Sequence, residues 1–182
     1  MVAPTILTGT QDRGRSFVLL VLLAGFAVAC ATGVAPRPSL EVEPLRISEV
    51  AADGDPTRRA STRLVINGLA SSPPEQGLSY YERAIQIDAT NPYAYLALAA
   101  YEIQWGDLER GVQSLAQSEL LLDAEGRKSP RVEPHLIGLH GRAKLRRYDS
   151  VERSAGEELM DEARRRAPEV WGDGWLGVTE LR

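Results

Sequence analysis

NPYAYLALAAYEIQWGDLERGVQSLAQSELLLD, residues 91–123, is the stretch whose reading decides the fold. Asn91-Pro92 is a helix opening, because asparagine accepts an orphan amide and proline suits the first helical position. Apolar residues recur at helical spacing up to Gly106-Asp107, a turn that leads into a second amphipathic helix. The two helices form a hairpin, and that hairpin has a counterpart upstream. At a shift of about 34 residues, Leu64 falls on Leu98, Ala60 on Ala94, Glu75 on Glu109 and Gly77 on Gly111. Leu78 then falls on Val112, Tyr81 on Leu115 and Ile87 on Leu121, so side-chain character is kept at positions expected to be buried.

A helical hairpin of this period resembles the tetratricopeptide repeat. Tyr95, Leu98, Gly106-Asp107 and Leu108 are similar to its consensus, and Tyr80–Asp88 resembles the end of a repeat's second helix. Gly111 and Ser118 stand where that family prefers alanine; both are small, as close crossing of paired helices requires. The resemblance implies an all-α helical solenoid of about three repeats, near residues 58–91, 92–125 and 134–168, closed by a cap helix at 173–182.

Working outward, Asp55-Pro56 reads as a cap and first turn, opening a helix that stops near Ser71. Ser72-Pro73-Pro74-Glu75 reads as a capping box for the next helix. Residues 123–134 form a polar, proline-containing insertion that throws the third unit out of register. Beyond it, Gly141 and Ala143 hold small-residue positions, and Asp149–Glu152 offers a further capping box. Val151, Ala155, Leu159, Ala163 and Ala167 make one stripe at i, i+4 spacing. WLGVTELR, from Trp175 onward, looks like a lone helix covering the last apolar face.

The N-terminal region has another character. Arg13 and Arg15 precede an apolar run from Phe17 to Ala29, the pattern of a secretory signal over residues 1–29. Its end, AVAC at residues 27–30, resembles the lipobox of bacterial lipoproteins, with Ala27 where leucine is usual. That resemblance implies a diacylglyceryl group on Cys30, the only cysteine, and cleavage before it. An ordinary cleaved signal and an uncleaved anchor from Phe17 to Pro36 are the rival readings; the coincidence of the sole cysteine with the cut site favours lipidation. Ala31 stands where aspartate often marks inner-membrane retention, so the resemblance points to the outer membrane, facing the periplasm. Residues 30–55, with Pro36, Pro38 and Pro44, read as a loosely ordered tether ahead of a domain spanning 56–182.

Composition narrows the function. The 182 residues carry 21 basic and 25 acidic side chains, a net charge of −4 that gives no support to nucleic-acid binding. His135 and His140 are separated by about 140° on a helix and do not share a face as a zinc pair would. No zinc-protease, nucleophile-elbow or phosphate-loop motif occurs, so no enzyme, cofactor, metal or small-molecule substrate is expected. In tetratricopeptide proteins the first helix of each repeat lines a peptide groove. The resemblance places Arg59, Thr62, Ile66 and Leu69 in that groove from the first unit, and Tyr93, Leu96, Ala100, Ile103 and Gln104 from the second. His135, Arg142 and Arg146 would follow from the third, giving an apolar floor with cations near its ends. The expected role is a membrane-anchored, protein-binding adaptor of the bacterial cell envelope. The alternative is a structural or assembly subunit of an envelope machine, burying its convex face and the insertion.

Overall fold

The computed structural model describes residues 42–147 and 149–182. The expected signal segment, Cys30 and the first part of the expected tether lie outside the described residues. Within them the fold is all-helical, with no strand. Six long helices follow in order: α1 (Pro56–Leu69), α2 (Gly77–Ile87), α3 (Pro92–Gln104), α4 (Leu108–Ala124), α5 (Glu133–Arg146) and α6 (Ser150–Arg166). Two single turns end the chain, α7 (Pro168–Trp171) and α8 (Val178–Leu181).

The helices pack as three hairpins, α1 on α2, α3 on α4 and α5 on α6, and neighbouring hairpins meet through α2 against α3 and α4 against α5. Each crossing is closed by a missing side chain. A Cβ at Gly111 would sit 2.8 Å from the main-chain nitrogen of Ile103, and one at Gly156 would sit 3.0 Å from the carbonyl oxygen of Gly141. Seven residues beyond the crossing glycine of each second helix lies another small residue, Ala84, Ser118 or Ala163, each fully buried. Gly77 and Gly111 therefore hold the same place in their hairpins, as the internal repeat requires. Ser118 uses its hydroxyl there, donating to the carbonyl of Pro92 at 2.9 Å.

Helix starts follow side-chain chemistry. Asp55 accepts from the amide of Arg58, Asn91 from Tyr93, and Asp107 from Glu109 and Arg110. Each such cap contributes about 1 kcal/mol. The box expected at Ser72–Glu75 does not form: a 3-10 turn over Pro74–Gln76 intervenes, and α2 begins at Gly77 without a side-chain cap. The paired prolines start a tight turn, which leaves Ser72 too far from the first free amides of α2. At α6 the cap is one-sided. Asp149 accepts from Val151 and Glu152, while the Glu152 carboxylate turns instead to Lys144 at 2.6 Å.

The stripe expected on α6 is kept in part: Ala163 and Ala167 are buried, while Ala155 and Leu159 are half-buried. Val151 is 77% exposed, and Gly156, Met160, Ala163 and Ala167 face inward. Contact of Gly156 with the backbone of Gly141 sets the rotation, so the interior face is chosen by the glycine rather than by Val151.

Both flanks of the helical body differ from expectation. Residues 42–50, assigned above to the tether, form a strap packed into the core, with Ile47 fully buried and Leu45 9% exposed. Ile47–Val50 is a 3-10 turn, the Leu45 amide donates to the Arg131 carbonyl at 2.9 Å, and the Ser48 amide donates to that of Arg182 at 2.8 Å. The Arg131 carbonyl that holds the strap belongs to the 123–134 insertion. That insertion is ordered by its own chemistry. Gly126, at φ +64°, ends α4 in the left-handed region, and the Arg127 amide returns to the Leu122 carbonyl at 2.8 Å. Its far end buries Val132 completely.

The expected cap helix is only one turn long, Val178–Leu181. Before it, α7 buries Trp171 against α5, and Gly174, at φ +81°, turns the chain back across the body. Residues 175–177 are not helical, because the main chain at Leu176 makes its hydrogen bonds to a side chain of α3.

Candidate partner-binding site

α3 is the innermost helix. All of its residues except Tyr95 and Tyr101 are buried, including the polar Glu102 and Gln104. Glu102 is 4% exposed and holds the turn that follows: its carboxylate accepts from the Asp107 amide at 2.6 Å and pairs with Arg110 at 3.2 Å. From the third hairpin, Arg146 closes the same end. Its guanidinium donates to the carbonyls of Glu102 (3.0 Å), Ile103 (2.8 Å) and Gly106 (3.2 Å). These are carbonyls at the C-terminal end of α3, where a cation also meets the negative end of the helix dipole.

Most of the expected groove side chains are interior. Thr62, Leu69, Tyr93, Leu96, Ala100, Ile103, Gln104 and His135 are buried, and Ile66 is half-buried. Thr62 accepts from the Asn91 side chain at 3.1 Å, and half-buried Arg59 donates to the Gly54 carbonyl. Burial raises the pKa of Tyr93 above the ordinary tyrosine value, against the opposing pull of the Arg127 charge. The chain's own flanks cover this surface, with α1 packing against the 47–50 turn and against α8. A strip this apolar would be costly to leave in water, at about 25 cal/mol per Å². The expected open groove is thus a filled one.

His135, on α5, holds the covering strap. Its Nε2 lies 2.8 Å from the Leu45 carbonyl, so Nε2 carries the hydrogen and donates, while Nδ1 is buried without a partner. Burial therefore lowers its pKa and keeps the ring neutral. His140 is elsewhere, on Glu119 at 3.0 Å. Among the described residues no group of three His, Cys, Asp or Glu side chains could hold a metal ion.

Arg142 and Arg146, read above as a pair for a carboxylate, are divided in their tasks. Arg146 is committed to carbonyls, whereas the guanidinium of Arg142 lies 3.8 Å from the ring centroid of Trp175. Such a cation–π contact contributes about 0.5–2 kcal/mol. Arg142 Nε is buried without a partner, and among the described residues Arg142 has no ion pair. Burial, then the charge of Arg146, lowers its pKa, so its positive charge is held at a cost.

Trp175 continues the cluster. It stacks on Trp105, with ring centroids 6.4 Å apart and planes at 18°, and Trp105 meets Tyr101 at 6.0 Å. Trp105 is 49% exposed and Trp175 40%. Tyr101, Trp105, Trp175 and Arg142 thus form an aromatic corner that presents apolar area and one poorly compensated cation to solvent. It can stack on an apolar or planar group while the guanidinium takes a carbonyl or carboxylate. The sequence reading singled out neither Trp105 nor the role of Trp175. Adjacency to a glycine does not mark them out, since Trp171 adjoins Gly172 and is fully buried.

Compared with protein-family models, curated proteins and solved structures, the chain gives no match. Among the described residues no helix is long and apolar enough to cross a membrane.

Proposed function

We propose that this chain is a lipid-anchored, tetratricopeptide-like adaptor of the bacterial cell envelope that captures a protein partner at the aromatic corner. The observation carrying the reading is the stacked pair Trp105 and Trp175, each about half in water beside Arg142. Trp, Tyr and Arg dominate the energetic centres of protein interfaces, and exposed clusters of them mark binding surfaces. The tetratricopeptide likeness is supported by the crossing glycines Gly77 and Gly111, which recur at the repeat spacing with Ala84 and Ser118 behind them. The anchor rests on Cys30 and its lipobox-like setting, and the outer-membrane location on Ala31. The role is recognition without chemistry, and needs no cofactor, metal or small-molecule substrate.

The test is capture from detergent-solubilised envelopes by the full chain, by Trp105→Ala and by Arg142→Met. At least one protein retained by the wild type is expected to fall tenfold or more with each variant, while thermal unfolding of the purified variants stays near that of the wild type. Identical capture by all three overturns the corner as the binding surface. Light scattering on the captured material separates the roles, since a fixed stoichiometric assembly favours a structural subunit of an envelope machine over an adaptor.

A further inference from the structure

The inner surface of α3 is filled by residues 175–181 in a manner that resembles a bound peptide more than a packed helix. The Gln104 side-chain amide reads the main chain of Leu176 in both directions. Nε2 donates to its carbonyl at 3.1 Å, and Oε1 accepts from its amide at 2.9 Å. This clamp grips any residue with a free amide, and selectivity comes from the side chains beside it. Leu176 (2% exposed) and Leu181 (1%) are buried, and Val178 is half-buried, against a wall that includes Leu69, Tyr81, Ala97 and Ala100.

The fit is incomplete. A cavity of about 20 Å³ remains between the segment and that wall. Glu180 Oε2, folded over Gly177 of the same segment, is buried with no hydrogen-bond partner, so this occupant carries an unsatisfied carboxylate oxygen of its own. The segment is joined to α7 through Gly172-Asp173-Gly174, a link that can swing without carrying a helix with it.

We propose that this surface is a peptide-binding groove loaded in cis with its own 172–182 segment. The partner it takes in trans is a segment of the same chemistry, extended at its start and one helical turn at its end: an aromatic residue, then leucine, then a second apolar residue two positions on and leucine three beyond that. A neutral side chain in place of Glu180 should fit better, because no buried carboxylate oxygen is left unpaired. The inference goes beyond the aromatic corner, since it concerns the covered surface and is read on the purified chain alone.

The probe is a fluorescent synthetic peptide of residues 172–182, titrated into the full chain and followed by anisotropy. The wild type, loaded in cis, is expected to bind it at least tenfold more weakly than Leu176→Ser/Leu181→Ser, whose own segment is loosened. Adding Gln104→Ala to that variant should weaken binding about five- to thirtyfold, as loss of two hydrogen bonds implies. The peptide carrying glutamine at the Glu180 position should bind more tightly than its parent. A folded double variant that ignores the peptide overturns the proposal and leaves the segment as a fixed cap.

Hydrogen exchange on the wild type decides the matter if the variant does not fold. The Leu176 and Leu181 amides should exchange at least a hundredfold faster than those of Ala97 and Ile103. Equal rates mean that the segment leaves only on global unfolding, and the proposal fails. If partner capture at Trp105 persists while the peptide fails to bind, only the groove inference falls. If the peptide binds and corner variants capture normally, only the corner reading falls.

Discussion

Replacing Gly138 by alanine sets two known effects against each other and tests how α7 is seated. Glycine to alanine within a helix contributes about 1 kcal/mol of stability from propensity alone. Here the new Cβ would lie 2.6 Å from Trp171 Cδ2 and closer still to Cε2 and Cζ2. Trp171 is fully buried, so its ring must move by about 1 Å or the helices must part. Overpacking of this kind costs about 1–3 kcal/mol, and the clash with three atoms of a rigid ring places it at the upper end. The net expectation is a loss of about 2 kcal/mol, or about 5–10 °C in Tm for a body of this size. Urea unfolding of the full chain with a far-UV signal measures it. Combining Gly138→Ala with Trp171→Phe should cost less than the two single changes added together, because the smaller ring leaves room for the methyl. A Gly138→Ala protein as stable as the wild type, or more so, would refute this seating of Trp171 on α5.

Further outcomes concern charge, capping and the anchor. His135 is neutral in the fold and its pKa is lowered by burial, whereas the unfolded chain protonates near the ordinary value of about 6.5. The unfolded state therefore binds the extra proton, so stability is full above that value and falls as pH drops below it. Between about pH 7.5 and 5.5 the wild type should lose about 1 kcal/mol more than His135→Leu in urea unfolding, and equal losses would contradict the buried neutral ring. Arg146→Met removes three hydrogen bonds to the carbonyls ending α3 and should cost about 2–3 kcal/mol, with Arg146→Lys recovering less than half, as measured by the same unfolding curves. Cys30→Ser should leave a precursor that is neither lipidated nor cut, visible as a slower band in the membrane fraction; normal processing would reject the lipobox reading.

The hairpins were legible because their signals are local. Asp55, Asn91, Asp107 and Asp149 announce helix starts by a side chain that reaches two or three residues, and the glycines Gly77 and Gly111, at the repeat spacing, mark the first two crossings. What escaped was long-range. Leu45 and Ile47 look like spacer residues until the Arg131 carbonyl and His135, some 90 positions away, are brought to them. Likewise nothing near Gln104 indicates that its amide will meet Leu176, 72 residues on. Most of the residues assigned to a groove are buried, and a periodic apolar face does not say whether solvent, a partner or the chain itself covers it. The exposed tryptophans were missed for the opposite reason. An aromatic beside a turn reads as a helix terminator until the second ring is found stacked on it.

The account stands most directly on what touches Trp105. A photoreactive amino acid placed there in the full chain, with the more exposed Val151 (77% against 49%) as a control, reports contacts in intact cells. A discrete adduct at position 105, absent at 151 and lost when Arg142 is changed to methionine, is the outcome predicted for an adaptor that binds at its aromatic corner. Indistinguishable adduct patterns at the two positions, or none at either, would contradict it.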